Sequence, residues 1–217
     1  ELVPEENRKA LGMHAIEILS NLHRIEPSDV GLGDLGRREA YLERQLKRWS
    51  TQWEKSKTRD LPEMEAAHAE LEAKMPDQQG SVIVHGDFRL GNFLSNGAKG
   101  KIEAVLDWEL CTLGDPLADV GWFFAPCWRF GARSAVAGGI GDPEDFLRGY
   151  EAESGDEVDR SRIPYWMVMA TVRWVVVALK QAATRGRLEA IIGSDGRYRS
   201  SRSALEAYKA SKYSRNR

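Results

Sequence analysis

A segment rich in β-branched residues, positions 81–109, interrupts a chain that is otherwise patterned as helix, and this interruption constrains the fold most. Ser81–Val84 is one β-branched run, and Lys101–Leu106 is another, in which polar and apolar residues alternate before the run becomes wholly apolar. Between them, Phe93-Leu94 leads into Asn96-Gly97, a pair typical of tight turns. The sequence therefore predicts short strands inside a helical body, which is a mainly α fold with a small β insertion (α+β).

The flanking regions carry helical periodicity. Residues 1–78 predict three helices, whose apolar faces are Leu11, Ala15, Ile18, Leu19 and Leu22, then Tyr41, Leu42, Leu46, Trp49 and Trp53, then Met64, Ala67, Leu71 and Met75. Residues 110–217 return to helix, with starts at Pro116 and at Asp142-Pro143, a long segment over 166–185, and a final helix around Leu205, Ala207 and Tyr208. We expect 1–217 to form a single lobe in which 79–109 is the β segment.

Composition limits the possible partners and the compartment. The 31 basic and 33 acidic side chains give a formal charge of −2, which argues against a nucleic-acid-binding surface. Cys111 and Cys127 are the two cysteines of the chain and cannot form a disulfide framework. A reducing, cytoplasmic location is therefore expected.

One apolar run, Ile163 to Leu179, approaches the length of a membrane span. Arg173 lies near its middle, where it would cost about 2.5–3.5 kcal/mol in a bilayer. We therefore predict a buried core helix and no membrane partner. Within a core, Arg173 needs an acceptor. It either pairs internally or lines a pocket that receives an anionic substrate.

The residues with the clearest chemistry lie in and beside the β segment. Asp87 follows the first strand, Asn92 comes five residues later, and Asp107 follows the second run. A carboxylate at the rim of a cleft can accept the proton of a hydroxyl that attacks phosphorus. An amide oxygen and a second carboxylate are suitable ligands for Mg²⁺. The spacing predicts that Asn92 and Asp107 bind the metal beside Asp87.

Neighbouring residues have two interpretations each. His85 either braces the loop or transfers a proton, and Arg89 either contacts a phosphate or substrate carboxylate or is a solvated loop residue. Glu109 is a weaker candidate for a group beside the metal or substrate. Trp122 either packs in the core or borders the acceptor. Asp115, which precedes Pro116, fits a helix cap better than a catalytic role.

These motifs resemble a known superfamily. His85-Gly86-Asp87 with Asn92 resembles the H-x-D-x-x-x-x-N loop of the aminoglycoside phosphotransferases and choline kinases, and Asp107-Trp108-Glu109 resembles their counterpart of the kinase D-F-G. The string over 105–119 is similar to the branch that includes the kinase-like domains of acyl-CoA dehydrogenase family members ten and eleven. The similarity extends back through Gly31–Gly36 and Tyr41–Leu46.

The resemblance implies a kinase-like carboxy-terminal lobe that transfers the γ-phosphate of ATP to a small-molecule hydroxyl. Asp87 would be the base, and Asn92 and Asp107 would hold Mg²⁺. Asp119 would match the aspartate that binds the backbone of the catalytic loop, with a helix-start carboxylate as its alternative. The branch suggests a hydroxy acid or hydroxyacyl acceptor, and an aminoglycoside-like acceptor stays open.

The chain also departs from the family pattern. A kinase of this fold needs an amino-terminal β lobe with a phosphate-covering loop and a lysine on its third strand. No such pattern precedes the first helix, and Gly31-Leu32-Gly33 joins two helices. We therefore expect the amino-terminal lobe to be a missing partner and this chain to be inactive alone. The rival interpretations are a non-catalytic binding module or pseudokinase, and a metal-dependent phosphoester hydrolase.

Overall fold

The structure, a computed structural model, describes residues 4–185, with side chains described through Gln181. The final helix predicted around Leu205 lies outside the described residues. The helices are α1 (Glu5–Arg24), α2 (Tyr41–Ser56), α3 (Pro62–Ala73), α4 (Leu117–Phe123), α5 (Pro143–Ser154) and α6 (Ile163–Arg185). The strands are β1 (Val82–Val84), β2 (Phe93–Asn96), β3 (Lys101–Val105) and β4 (Thr112–Gly114). The predicted fold, mainly α with a small β insertion, is confirmed.

The strands form two separate antiparallel pairs among the described residues. β1 pairs with β4, and β2 pairs with β3, with a register shift between Leu94 and Ser95. No sequence pattern predicts β4, because three residues are too few to show a period and the strand is defined by its pairing with β1. The chain turns directly after Asn96, as the Asn96-Gly97 pair predicted. The link is a 3-10 turn, Gly97–Lys99, that ends at Gly100.

Gly100 explains how the β2–β3 hairpin sits against α1. Its φ is +58°, and a Cβ there would lie 2.9 Å from the Asn7 carbonyl oxygen. The Asn7 side chain in turn donates to the carbonyl oxygens of Gly97 and Ala98. The turn therefore docks on the first helix.

α6 is the central helix of the apolar core. It packs against α2, α3 and α4, while α1 packs against α5. The stretch Arg160–Gln181 is long and apolar enough to cross a membrane, and 61% of its apolar window is buried within the protein. Burial of this extent is what packing between several helices produces. Of the seven tryptophans, Trp49, Trp53 and Trp166 are buried in this core, whereas Trp122 and Trp128 are buried in a second, smaller apolar cluster.

The face that α1 buries differs slightly from the predicted one. Ile16 and His23 are buried, whereas Ile18 and Leu22 are half-buried. Ile16 is drawn inward because it packs beneath Gly149 of α5, where an added Cβ would lie 3.0 Å from the Ile16 side chain. His23 can be buried because the Tyr150 hydroxyl and the Asp119 carboxylate form hydrogen bonds with its two ring nitrogens.

We predict that Gly121→Ala destabilises the protein by about 1–3 kcal/mol through overpacking. A Cβ at Gly121 would lie 2.3 Å from the Trp166 Cβ and 2.8 Å from its carbonyl carbon, so α4 and α6 would have to separate. Urea unfolding of wild type and variant measures this difference.

Gly12→Ala is the matched control, because it is also a helical glycine and its new Cβ would meet nothing closer than Ile140 at 3.9 Å. That change should stabilise the protein by up to about 1 kcal/mol through helix propensity. Equal unfolding midpoints for Gly121→Ala and wild type would show that α4 and α6 are not in close contact.

Candidate active site

The loop over residues 85–92, the 85–92 loop, begins where β1 ends. Its turn depends on Gly86, whose φ is +80° and where a Cβ would lie 2.7 Å from the Leu110 carbonyl oxygen. The backbone of the loop thus packs directly on the 3-10 turn Trp108–Leu110, which follows Asp107. Only glycine allows both the left-handed conformation and this close approach.

Asp87 is the centre of the polar network in this loop. Asn92 Nδ2 donates to its Oδ2 at 2.7 Å, and Trp122 Nε1 donates to its Oδ1 at 2.7 Å. Arg89 Nε lies 3.1 Å from both carboxylate oxygens. Because Asp87 is only 9% exposed, these donors fix the orientation of the carboxylate.

Asn92 uses its amide nitrogen twice, on the Asp87 side chain and on the Asp87 carbonyl oxygen at 2.9 Å. The other atom of the amide, Oδ1, is therefore the one that remains to bind a cation. The Asn92 carbonyl oxygen accepts from Leu106 N at 2.8 Å. This bond brings the backbone of Asn92 next to the residue that precedes Asp107.

Asp107 occupies a left-handed conformation, with φ 69° and ψ 59°. Its side chain is exposed, and it makes no hydrogen bond or ion pair with the described residues. Strained backbone of this kind concentrates at functional sites. Within residues 4–185, no three His, Cys, Asp or Glu side chains gather as a metal group. One carboxylate with one amide oxygen suits Mg²⁺, which takes its other ligands from phosphates and water.

His85 is fully buried and uses both ring nitrogens on backbone groups. Its Nδ1 lies 3.1 Å from the amide of Asp87, and its Nε2 lies 3.0 Å from the carbonyl oxygen of Leu106. These partners assign the neutral tautomer with the proton on Nε2, because Nδ1 must accept. The ring links the 85–92 loop to the end of β3, which is the geometry of a brace and leaves no nitrogen for proton transfer.

Asp119 holds the backbone of the same loop from α4. Its Oδ2 accepts from the His85 amide at 2.7 Å, and its Oδ1 accepts from the Gly86 amide at 2.8 Å. His23 Nε2 lies 3.3 Å from Oδ2, and His23 Nδ1 lies 2.7 Å from the Tyr150 hydroxyl. Burial acts to raise the pKa of Asp119, but His23 and the two amides outweigh it, so the pKa is held below its ordinary value.

The remaining candidates have defined positions as well. Asp115 accepts from the amides of Leu117 and Gln79, so it caps the start of α4, and burial raises its pKa despite these two bonds.

Glu109 is exposed and borders a cavity that Gly86 also lines. Arg89 folds back over Gly91 onto Asp87, with its guanidinium carbon 4.5 Å from the centre of the Trp128 ring. It therefore pairs with Asp87 instead of extending into solvent.

Sequence reasoning missed three features of this network. It did not anticipate His23 and Tyr150 behind Asp119, or the indole of Trp122 as a donor to Asp87. A histidine four residues after buried Leu19, on the apolar face of α1, was the available signal for His23. Of the two interpretations of Arg173, an internal ion pair is not found among the described residues, which place no carboxylate within 4 Å of it, and Arg173 instead lines a cavity. Its guanidinium stacks on Trp122, 4.1 Å from the ring centre.

A helical body in which a short β segment carries an Asp–Asn pair, followed by an exposed Asp, is characteristic of kinase-like phosphotransferases. Comparison with known proteins agrees. The chain belongs to the phosphotransferase enzyme family (APH), whose model matches residues 2–158.

Two acyl-CoA dehydrogenase family members are similar to about half of this chain. Mouse acyl-CoA dehydrogenase family member 10 is 37% identical over 115 residues, which is 53% of this chain and 11% of that protein. Chicken acyl-CoA dehydrogenase family member 11 is 37% identical over 123 residues, 56% of this chain and 16% of that protein. The chain thus spans less than a fifth of these curated relatives.

Among solved structures, a candidate aminoglycoside phosphotransferase from Ralstonia eutropha is 25% identical with a TM-score of 0.72, covering 94% of this chain and 62% of that one. A choline/ethanolamine kinase family protein from Mesorhizobium loti, 18% identical with a TM-score of 0.55, shares the fold over 97% of this chain and 66% of its own.

We predict that Asp119→Asn lowers the free energy of unfolding at pH 7 by about 1.5–3 kcal/mol, the range for hydrogen bonds to a charged group. The pKa of Asp119 is lower in the folded protein than its ordinary value, so its contribution is full above about pH 4. The contribution is lost as the pH falls through the folded pKa. The difference between wild type and variant should therefore shrink below about pH 4.

Urea unfolding from pH 7 down to pH 3 measures this trend. Asp34→Asn is the control, because Asp34 is exposed and forms no hydrogen bond or ion pair with the described residues through its side chain, so its difference should stay small across the range. A gap for Asp119→Asn that stays constant with pH would show that the carboxylate charge does not stabilise the loop.

Proposed function

We propose that this chain carries the catalytic loop of a kinase that transfers the γ-phosphate of ATP to a hydroxyl of a small molecule. The observation that supports it most is that Asn92 and Trp122 both donate to the Asp87 carboxylate and so orient it. This carboxylate lies near the point where the Asn92 carbonyl oxygen accepts from Leu106, directly after β3. Membership of the phosphotransferase enzyme family supports the general reaction. The roles of the individual residues are our proposal.

In this reaction Asp87 accepts the proton of the acceptor hydroxyl as its oxygen attacks phosphorus. The new O–P bond forms while the bond from the γ-phosphorus to the β–γ bridging oxygen breaks, and ADP leaves. A hydroxyl that binds Asp87 replaces the present contact with Arg89. This exchange frees a guanidinium beside the phosphate that is being transferred, where it offsets negative charge.

Asn92 and Asp107 would hold Mg²⁺, which neutralises charge on the phosphate oxygens during transfer. The fit rests on the chemistry of the two side chains. Asn92 Oδ1 is the amide atom left free by the bonds to Asp87, and the Asp107 carboxylate has no other partner among the described residues. His85 and Asp119 are positioning residues, since both act on the backbone of the 85–92 loop.

The proposed acceptor is a hydroxy acid or a hydroxyacyl compound. The relatives named as acyl-CoA dehydrogenase family members support an acyl acceptor, and the aminoglycoside named for the Ralstonia eutropha protein is the alternative. We also propose that turnover requires a nucleotide-covering β lobe. Within residues 4–185 the strands are three to five residues long and form only two-stranded pairs. The glycine-containing turn between β2 and β3 docks on α1 through Asn7, so it does not cover the candidate site.

We predict that Asp87→Asn reduces the turnover number by about 10²–10⁴-fold, the usual loss when a general base is removed. Transfer should be measured as ADP formation with a panel of hydroxy acids, hydroxyacyl thioesters and amino sugars, using the natural polypeptide that contains this chain. Nucleotide binding should be nearly unchanged, because Asp87 faces the acceptor hydroxyl.

Asp145→Asn, an exposed change on α5, is the control and should retain the wild-type rate. Turnover retained in Asp87→Asn would remove Asp87 from its proposed role. Nucleotide binding without transfer to any acceptor, in the wild-type polypeptide, would favour a binding module or pseudokinase.

We predict that Asp107→Asn raises the Mg²⁺ concentration needed for half-maximal rate, since one of two protein ligands loses its charge. Asparagine tolerates the left-handed backbone of this position, so the fold should persist. A titration of the rate against Mg²⁺ measures the shift. Glu103→Gln, an exposed change on β3, is the matched control. Superimposable Mg²⁺ titrations for Asp107→Asn and wild type would contradict the metal assignment.

A further inference from the structure

A cavity of about 370 Å³ lies beside the 85–92 loop, between α2, α6 and the segment that follows Asp107. Gly86 lines it from the loop side. Four arginines line it elsewhere, and Glu109 is the sole carboxylate among its described lining residues. The arginines come from three places in the chain, namely Arg37 before α2, Arg44 and Arg48 on α2, and Arg173 on α6.

Arg173 is the most informative of the four. Its guanidinium carbon lies 4.1 Å from the Trp122 ring centre and 5.4 Å from that of Trp49, while its Nε is buried without a hydrogen-bond partner among the described residues. Burial lowers its pKa from the ordinary value. A desolvated guanidinium without an acceptor is unfavourable, and aromatic faces compensate only in part. An anion in the cavity would supply the missing acceptor.

The other arginines are also left without carboxylate partners. Arg44 donates through Nη2 to the Arg37 carbonyl oxygen at 2.8 Å, and its Nη1 is buried without a partner in the described chain. Arg48 lies over Trp49, 5.2 Å from the ring centre, so the rings of α2 hold the guanidinium groups in place. Within residues 4–185, none of the four lies within 4 Å of a carboxylate oxygen. The cavity is thus a site of concentrated positive charge in a chain of net charge −2.

Trp122 connects this cavity to the candidate active site. One face of its indole carries Arg173, while its Nε1 donates to Asp87 Oδ1 at 2.7 Å. Gly86, which lines the cavity, directly precedes Asp87 in the loop. An anionic group in the cavity would therefore lie next to the loop residue that precedes Asp87.

We propose that Arg44, Arg48 and Arg173 bind the anionic group of the acceptor, a carboxylate or a phosphate, and so select anionic acceptors over polycationic amino sugars. The proposal rests on the function proposed above, because it assigns the cavity to the acceptor of that reaction. Guanidinium groups suit both anions, since each can receive two parallel hydrogen bonds. Like charge in the cavity opposes an amino sugar.

The test is direct binding to the natural polypeptide that contains this chain, by calorimetry at low ionic strength and without ATP. The probes are 3-hydroxybutyrate, its coenzyme A thioester, coenzyme A alone and the amino sugar kanamycin. We expect the anionic probes to bind, kanamycin not to bind, and added salt to weaken the affinity. Arg48→Gln and Arg173→Met should each weaken anion binding by about 10-fold to 100-fold.

The variants serve different purposes. Arg48 is exposed, so Arg48→Gln should fold even if Arg173→Met does not. Arg173→Lys keeps the charge but loses the planar pair of donors, and should recover only part of the affinity. Arg133→Gln removes an exposed arginine outside the cavity and should bind like wild type.

Two comparisons complete the design. Binding of the free acid identifies a carboxylate as the anchor, whereas binding of coenzyme A and its thioester alone identifies a phosphate, and either result supports the proposal. Unchanged affinity in both Arg48→Gln and Arg173→Met, or kanamycin binding tighter than any anion, would overturn it. Because binding is measured without transfer, an intact anion site in a polypeptide that never transfers phosphate would refute the kinase function alone.

Discussion

The buried carboxylate of Asp119 is the contact on which the geometry of the candidate site depends. It binds the amides of His85 and Gly86, and so fixes the backbone that leads into Asp87. Trp122 lies three residues later on the same helix, hence on the same side, and holds the Asp87 carboxylate. Backbone and side chain of the loop are thus positioned by one helix. A small shift of α4 would move the loop backbone and the Asp87 carboxylate together, so their relative positions would be preserved.

The hydrogen bonds that Asp119 accepts explain why its charged carboxylate can be buried. Removing a carboxylate from water is costly unless several donors replace the water. His23 supplies one donor and is itself held by Tyr150, so the polar chain crosses from α5 through α1 to α4. The long α6 closes the other side of α4 at Gly121, where no side chain intervenes. Close helix packing and a satisfied polar network therefore support the same loop.

The sequence predicted those parts of the fold and site that local patterns encode. Apolar spacing located the helices, the β-branched runs located β1 and β3, and the loop spacing placed Asp87 near Asn92. It failed where structure depends on distant partners. β4 is defined only by pairing with β1, and the bond between His23 and Tyr150 joins residues 127 positions apart. For Trp122 the sequence left core packing and a border to the acceptor open, because its bond to Asp87 joins residues 35 positions apart.

The arginine cavity illustrates the same limit for substrate recognition. Arg44 and Arg48 fall on a helix where basic residues alternate with acidic ones, which in sequence is the pattern of a solvated face. Arg173 is isolated within an apolar run more than a hundred residues away. Folding brings these groups to one cavity while most acidic side chains lie elsewhere, so a nearly neutral chain acquires a strongly cationic site. Net charge describes the whole surface, whereas the proposed choice of acceptor depends on the few charges that meet in the cavity beside the 85–92 loop.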